Sequence, residues 1–427
     1  MRRQNQMALF EIDDGIAPGG SSTFINNMAL PVHRWFRYSA GFSAEWVEWF
    51  VAQQRSRGEI RLLDPFAGSA TTLLSAEDLG VASIGIESHP FICRVAKAKL
   101  LRHEDPVAYR EFATAVYRRA EGRPGNLEKY PDLIRRCYTD NALLGLDRLR
   151  TSFESYADGS AASELTWLTL VSILRNCSHV GTAQWQYVLP RKAKKNARPP
   201  FEAFAQAIET FATDMLKTRA TDSPALFIQG DARRCEDVSS GFANLVVTSP
   251  PYPNNYDYAD ATRLEMTFMR EVDGWAQLQE SVRRHLVRSC SQHTTQKNVD
   301  ISRTLCSAEL KPIAAEISEK CAMLAEVRLS KGGKKNYHLM IASYFLDLAQ
   351  VWHALRRVCG SPCEVCFVVG DSAPYGIYIP VYEWLGKLAI DAGFESWRFE
   401  KIRDRNIKWK NRKHRVPLSE GRLLVTG

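Results

Sequence analysis

A strand–turn–helix–strand pattern near residue 60 constrains the fold more than any other feature of the sequence. Residues 59–63 predict a short strand, residues 64–70 a glycine-containing turn, residues 71–80 a helix and residues 81–87 a second strand. A helix between two strands at this spacing makes the strands parallel. The sequence therefore predicts an α/β fold with a mostly parallel, doubly wound sheet.

Further strand patterns follow later in the chain. Residues 225–232, 243–252 and 364–372 are typical of buried strands, and two closing strands flank a basic loop near the C-terminus. Residues 103–222 carry helical patterns without a strong strand. We find no internal repeat and no linker that divides the sequence. We therefore interpret the helical stretches as insertions into one α/β core.

Composition excludes several classes of protein. Of 427 residues, 45% are hydrophobic and 24% are charged, which excludes a disordered or coiled-coil chain. No apolar run reaches the ~18 residues of a membrane helix, and the N-terminus lacks a signal-peptide pattern. We expect a cytoplasmic protein with no membrane partner and with its 10 cysteines reduced. The net charge of +8 is compatible with a nucleic-acid partner.

The first chemical motif is DPFAGSATT at residues 64–72. Gly68 lets the backbone approach a ligand closely, and the turn leads into the N-terminus of a helix. Glu87 ends the next strand, where a carboxylate can accept hydrogen bonds from both hydroxyls of a ribose. Together these features predict a nucleotide-type cofactor at the carboxyl ends of the two strands.

The second motif, TSPPY at residues 248–252, directly follows an apolar strand. Its two prolines restrict the backbone and donate no hydrogen bond, so the corner is rigid. The Ser249 hydroxyl and the Pro250 carbonyl can both accept from one exocyclic amine, while Tyr252 offers a ring on which a base can stack. These two hydrogen bonds favour a pyramidal, nucleophilic amine nitrogen and hold it in line with an electrophile. The chemistry needs no metal, and we predict none.

Together the two motifs resemble those of the amino-methylating DNA methyltransferases, which use S-adenosylmethionine. That family has motifs of the form DPFxGxGTT and (D/N/S)PPY, which stand here as DPFAGSATT and TSPPY. The resemblance implies a Rossmann-like class I methyltransferase core with helical insertions. It also implies that the target base flips out of the duplex and receives the methyl group by direct in-line transfer.

The resemblance assigns cofactor roles to individual positions. Asp64 and the backbone that follows it would hold the methionine end of the cofactor, and Glu87 would bind its ribose. Phe91, with Pro90, would pack the adenine, and Asp231 would accept from the adenine amine. Residues 33–43 resemble the motif that closes over the cofactor. The full set of cofactor positions is Asp64, Pro65, Phe66, Ala67, Gly68, Glu87, Phe91 and Asp231.

The same resemblance assigns the catalytic positions, which would grip the target amine and base. They are Ser249, Pro250, Pro251 and Tyr252. Ala70 departs from the family pattern, which usually has glycine there. At a positive φ an alanine costs on the order of 1 kcal/mol, whereas inside a helix it is harmless. We expect Ala70 to lie in the helix.

The motifs divide the chain into segments with distinct expected roles. These are a flexible N-terminal arm (1–28), a cofactor-binding half of the core (29–102), a helical insertion that is a candidate for target recognition (103–222), a catalytic part with TSPPY (223–270), a polar insertion with the look of a mobile loop over DNA (271–336), and the remaining core with a basic C-terminal segment (337–427). Either insertion, or both, could read the target.

Four residues are candidates for contact with nucleic acid. Tyr256 follows the prolyl corner, and ordinary packing is its alternative role. Trp185, Arg191 and Lys192 belong to an aromatic and basic stretch that suits phosphate contacts, with a solvated loop as the alternative. The basic residues at 401–415 offer a second such stretch.

The target base follows from the form of the catalytic motif. In the family, the serine form is associated mainly with N4 of cytosine, and the aspartate and asparagine forms mainly with N6 of adenine. We expect site-specific N4-cytosine methylation of double-stranded DNA. The alternatives are N6-adenine methylation, methylation of an RNA amine, and a catalytically weak nucleic-acid-binding protein. A cognate restriction nuclease that acts separately is a further partner implied by the family.

Overall fold

The protein is described by a computed structural model that covers residues 26–38, 42–180, 194, 196–218, 222–254, 256–294, 299–332, 335–405 and 416–427. Seven strands form one sheet in the order β3-β2-β1-β4-β5-β7-β6. The strands are β1 (Arg61–Asp64), β2 (Ala82–Glu87), β3 (Leu226–Gln229), β4 (Ala243–Thr248), β5 (Cys359–Gly370), β6 (Ser396–Arg405) and β7 (Leu418–Thr426).

Strands β1 to β5 are parallel, whereas β7 runs antiparallel to both β5 and β6. The predicted α/β fold with a mostly parallel sheet is confirmed. The helices are α1 (Ala44–Arg55), α2 (Thr71–Asp78), α3 (Pro90–Leu100), α4 (Pro106–Glu121), α5 (Asp132–Cys137), α6 (Asp140–Tyr156), α7 (Ala161–Cys177), α8 (Pro200–Met215), α9 (Tyr258–Ala261), α10 (Arg263–Phe268), α11 (Trp275–Ser281), α12 (Ile301–Leu305), α13 (Ala314–Ser330), α14 (Tyr337–Val358) and α15 (Val381–Asp391).

The helical insertion packs as one body against α3. Helices α4, α6, α7 and α8 contact one another and share a hydrophobic core with α3 and with Trp35 and Phe36. Inside this body the fully buried Arg150 is held by Asp147 at 2.9 Å and by the Tyr130 hydroxyl. A buried charge needs such partners, since removing one of them strongly destabilises the fold.

Part of the polar insertion, for which the sequence predicted a mobile loop over DNA, is helical. It contains α11, α12 and α13, and the turn before α12 is anchored to the core through Arg283 and Arg288. Arg283 Nη2 lies 2.8 Å from Asp257, and Arg288 Nη2 lies 2.6 Å from Asp347 of α14. This part of the insertion therefore belongs to the folded core.

The register of the sheet brings the two sequence motifs to one edge. Asp64, the last residue of β1, pairs with Gly85 of β2, and Leu63 pairs with Val246 of β4. Since the three strands are parallel, the DPFAGS turn, Glu87 and the TSPPY corner all follow carboxyl ends at the same edge, where ligands bind in such sheets. No helix in the described part of the chain is long and apolar enough to cross a membrane.

Candidate active site

One cavity at this sheet edge is lined by both motifs. Its volume is about 60 Å³. The cofactor motif, the end of β2, the prolyl corner, the N-terminal segment and the polar insertion each contribute to its wall. The lining residues are Tyr38, Phe42, Phe66, Ala67, Gly68, Ser69, Thr71, Glu87, Ser88, His89, Ser249, Pro251, Tyr258, Leu286 and Val287.

Asp64 joins the cofactor motif to the catalytic strand beneath this cavity. Its carboxylate accepts a hydrogen bond of 2.6 Å from the Thr72 hydroxyl, another of 2.6 Å from the Thr248 hydroxyl, and one from the Phe66 backbone. The side chain is 1% exposed. Burial raises the pKa of Asp64 to about 6, and the three hydrogen bonds oppose that rise. All three donors come from the protein, so in this arrangement Asp64 positions the two loops.

Thr248→Val should test this link through stability. Valine keeps the shape but removes one donor to a buried carboxylate, so the free energy of unfolding should fall by about 1.5–3 kcal/mol at pH 8. The raised pKa means that folding favours the protonated Asp64, so native stability falls as pH rises through about 6. The loss in Thr248→Val should therefore be smaller at pH 5. Urea denaturation at both pH values checks this, and Thr248→Ser, which keeps the hydroxyl, should behave like the parent.

Glu87 is held by the backbone on both sides of the cavity. One carboxylate oxygen accepts from the Gly68 N–H at 3.1 Å, and the other accepts from the N–H groups of Ser88 and His89. Burial raises the pKa of Glu87 to about 7 despite these bonds. Gly68 has a φ of +51°, a left-handed conformation that favours glycine.

Ala70 also lies in the left-handed region, with a φ of +69°, at the N-cap of α2. The expectation that it lies within the helix at an ordinary φ is therefore wrong. Ala70 is instead the last residue of the turn, and its N–H is bonded to the carbonyl of Ala67. The alanine is tolerated at a local cost on the order of 1 kcal/mol, and its methyl group is fully buried.

The N-terminal aromatic segment covers the glycine turn. A Cβ at Gly68 would meet Tyr38 Cε1 at 3.0 Å, and both Tyr38 and Phe42 line the cavity. After Phe42, Ser43 caps α1 by accepting from the Trp46 N–H. The segment that the sequence places over the cofactor thus lies against the DPFAGS turn.

At the prolyl corner, Ser249 is oriented as an acceptor. Its hydroxyl donates to the carbonyl oxygen of Val368 on β5 at 3.2 Å, so its proton is used and oxygen lone pairs are left. Ser249 and Pro251 line the cavity, whereas Pro250 is buried and Tyr252 lies just outside the lining. The Arg405 guanidinium covers one face of the Tyr252 ring, 5.0 Å from its centroid.

The residues after the corner tie it to the polar insertion. Asp257 caps α9 and receives both the Arg283 ion pair and a 3.5 Å contact from His293. The rings of Tyr256 and Tyr258 meet edge to face at 4.7 Å, and Tyr258 lines the cavity. Sequence reasoning missed this anchoring, and also missed Leu286 and Val287 in the cavity wall, because no motif marks them.

Other predicted residues lie elsewhere. Phe91 is 1% exposed and packs edge to face against Phe36 and Trp167, so it does not line the cavity. Asp231 sits close to Glu87, since the Gly230 N–H donates to the Glu87 carbonyl, but its carboxylate is paired with Arg233 at 2.8 Å. Pro65 is buried in the turn. Trp185, Arg191 and Lys192 lie outside the described residues.

Comparisons with known proteins agree with this geometry. The N6/N4 methyltransferase family model, described as DNA methylase, matches residues 26–98. That span contains the N-terminal aromatic segment, the DPFAGS turn and Glu87. The resemblance to the DNA amino-methyltransferases that the sequence motifs predicted is confirmed over these residues. The TSPPY corner lies outside the matched residues.

Curated relatives extend the likeness along most of the chain. The type II methyltransferase M.AvaI from Nostoc sp. is 26% identical over 87% of this chain and 81% of its own length. The type II methyltransferase M.BsoBI from Geobacillus stearothermophilus is 26% identical over 89% of this chain and 82% of its own. M.MjaII from Methanocaldococcus jannaschii is 38% identical over 73 residues, which is 17% of this chain and 14% of its own.

Among solved structures, the rRNA methyltransferase AviRa from Streptomyces viridochromogenes aligns with 90% of this chain and 85% of its own at 9% identity. The TM-score of 0.27 is too low to inform fold or function.

The donor set of the cavity fits the methyl donor that the family uses. Glu87 offers a carboxylate to hydroxyl groups, Gly68 allows close backbone approach, and Tyr38 offers an aromatic wall. The volume of about 60 Å³ is well below the roughly 300–1,000 Å³ of a typical ligand site. Binding therefore requires side chains of the wall to give way, and Leu286 and Val287 are the apolar pair that closes it on the insertion side.

Proposed function

We propose that this protein methylates the exocyclic N4 of cytosine at specific sites in double-stranded DNA, with S-adenosylmethionine as the donor. The observation that carries the proposal is the single cavity that Glu87 shares with Ser249 and Pro251. The carboxylate that would bind the nucleoside part of the cofactor and the prolyl corner that would bind the target amine line the same cavity. The methyl donor and the amine that accepts the methyl group can therefore meet there.

The residues would divide the work as follows. Glu87, the backbone at Gly68 and Tyr38 would hold the cofactor, which supplies an electrophilic sulfonium methyl group when bound. The Ser249 oxygen, whose proton is committed to Val368, and the Pro250 carbonyl would accept from the two N–H bonds of the target amine. This orients the nitrogen lone pair away from the corner and toward the cavity.

Tyr252 would support the flipped base. Removing a base from the duplex costs a few kcal/mol, and stacking on an aromatic ring returns about 1–3 kcal/mol per base. Arg405 occupies one face of the Tyr252 ring, so the opposite face is the one that a base would use. The choice of N4-cytosine rests on the serine at position 249. We also propose that a separate restriction nuclease acts together with this protein, because its relatives are named type II methyltransferases.

Nucleoside mass spectrometry tests the proposal directly. Plasmid DNA from cells that express the protein should contain N4-methylcytosine, and DNA from cells that express Ser249→Ala should not. N6-methyladenine in place of N4-methylcytosine would refute the assignment of cytosine as the target base, but it would leave the proposed transfer to an exocyclic amine intact. No methylated amine in DNA, with purified protein that binds S-adenosylmethionine, would refute the function.

Cofactor affinity should depend on pH through Glu87. Ribose hydroxyls donate to the ionised carboxylate, so binding favours the deprotonated form and lowers its pKa from about 7. Affinity for S-adenosylmethionine should weaken as pH falls through 7 and level off above about 8. Calorimetric titrations between pH 5.5 and 8.5 check this, and Glu87→Gln should bind more weakly with a flat profile. A flat profile in the parent protein would contradict the assignment of Glu87.

A further inference from the structure

A second and larger cavity lies on the other side of the N-terminal segment. Its volume is about 580 Å³, and residues 34–37, α7, α8 and Glu265 of α10 line it. The next residue along the chain, Tyr38, lines the active-site cavity. Since neighbouring Cα atoms are about 3.8 Å apart, a single stretch of chain borders both cavities.

Positive charge dominates this second cavity, which we call the basic cavity. Arg34, Arg37, Arg175, Lys194 and Arg198 line it, and Glu265 is its one acidic lining residue among those described. Two of the cations are matched by carboxylates. Arg34 Nε lies 2.9 Å from the buried Asp214, and Arg175 Nη2 lies 2.9 Å from Glu265.

Lys194 and Arg198 have uncharged partners instead. Lys194 Nζ donates to the carbonyl oxygen of Arg175 at 2.7 Å, and Arg198 donates to the side-chain oxygen of Gln206. Both side chains are exposed. Partial burial, with the nearby Arg175 charge, lowers the pKa of Lys194. The potential here is therefore positive, and an anion would stabilise both cations.

Apolar side chains also line the cavity, among them Trp35, Phe36, Phe211, Val171 and Ile173. An apolar wall next to two exposed cations suits a group with a flat ring at one end and a phosphate at the other. The volume is within the roughly 300–1,000 Å³ range of ligand sites. The cavity thus has room for a whole nucleotide and is larger than an inorganic anion needs.

We propose that the basic cavity binds a nucleotide of the substrate DNA strand next to the target base, with its phosphate on Lys194 and Arg198. The inference rests on the proposed function, because residues 34–38 border both the basic cavity and the cavity that holds Ser249. The segment that covers the cofactor on one face would then hold the DNA backbone on the other.

Salt-dependent DNA binding by the full-length protein tests this inference. The test variant is Lys194→Gln with Arg198→Gln. The matched control is Lys217→Gln with Arg119→Gln, which removes the same charge from exposed positions that do not line the cavity. The probe is a labelled duplex of mixed sequence, titrated at several salt concentrations. The slope of log K against log salt should fall by about one in the test variant and stay unchanged in the control.

Each alternative result overturns the inference. An unchanged slope in the test variant, or an equal change in the control, would show that the cavity does not hold a phosphate of DNA. If the test variant loses affinity for S-adenosylmethionine as well as for DNA, Lys194 and Arg198 would have a structural role instead. If deoxycytidine monophosphate competes for binding to the protein while the salt slope of DNA binding is unchanged in the test variant, the ligand of the cavity would be a free nucleotide and not a DNA strand. If the parent methylates DNA and the slope is unchanged, the proposed function stands and this inference alone fails.

Discussion

Alanine at position 249 is expected to lower the turnover number on the order of 10²-fold, while affinity for S-adenosylmethionine stays within about twofold. In the proposed mechanism the Ser249 oxygen accepts from the target amine, because its own proton is donated to the carbonyl of Val368. Removing this oxygen would leave one N–H bond of the amine without a fixed partner. Single-turnover methylation of DNA and calorimetric cofactor binding measure the two effects separately.

Two further variants make this result specific. Ser249→Asn restores an acceptor at the corner and should recover part of the lost rate. Ser75→Ala removes a buried serine hydroxyl from α2, away from the cavity wall, and should leave the rate unchanged. Equal activity of Ser249→Ala and the parent protein would remove Ser249 from the catalytic machinery.

Valine at position 68 should abolish tight cofactor binding, with a dissociation constant raised at least about tenfold. The left-handed conformation costs a residue with a Cβ about 1–2 kcal/mol, and a branched side chain adds a direct conflict with Tyr38, whose Cε1 would lie 3.0 Å from the new Cβ. Displacing this turn also moves the N–H that Gly68 donates to Glu87. Calorimetric titration with S-adenosylmethionine measures the loss.

Gly80 offers a matched control for this prediction. It has a φ of +63°, close to that of Gly68, but an added Cβ there would meet nothing within 4 Å. Gly80→Val should therefore show the backbone strain as a loss of stability without the loss of cofactor affinity. Equal cofactor affinities in the two valine variants would mean that the contact between Tyr38 and the turn has no part in the site.

The sequence was informative wherever the signal was local. Alternating strands and helices predicted the parallel sheet. Two short motifs predicted a site at the carboxyl ends of their strands, and residues of both motifs line one cavity there. Their meeting in one cavity follows from β1 and β4 being neighbours in the sheet, because ligands bind at the carboxyl ends of such parallel strands.

Features that depend on contacts between residues far apart in the sequence could not be predicted from local patterns. The bond between Thr248 and Asp64 joins residues 184 positions apart, and nothing in either motif marks it. The positive φ of Ala70 is set by the hydrogen bond that closes its turn, whereas residue preference alone favoured a helix. Leu286 and Val287 reach the cavity because Arg283 and Arg288 anchor their turn to Asp257 and Asp347, a pairing that only the folded chain reveals.

The neighbouring positions of β1 and β4 also affect how this chain matures on the ribosome. The edge of β1 that faces β4 stays unpaired until the partner strand is synthesised 184 residues later, which takes roughly 9–37 s at about 5–20 residues per second. During that interval the nascent chain exposes an apolar strand edge of the kind that pairs with other chains. The helical insertion emerges within the same interval, and the two motifs come together only once β4 has paired with β1.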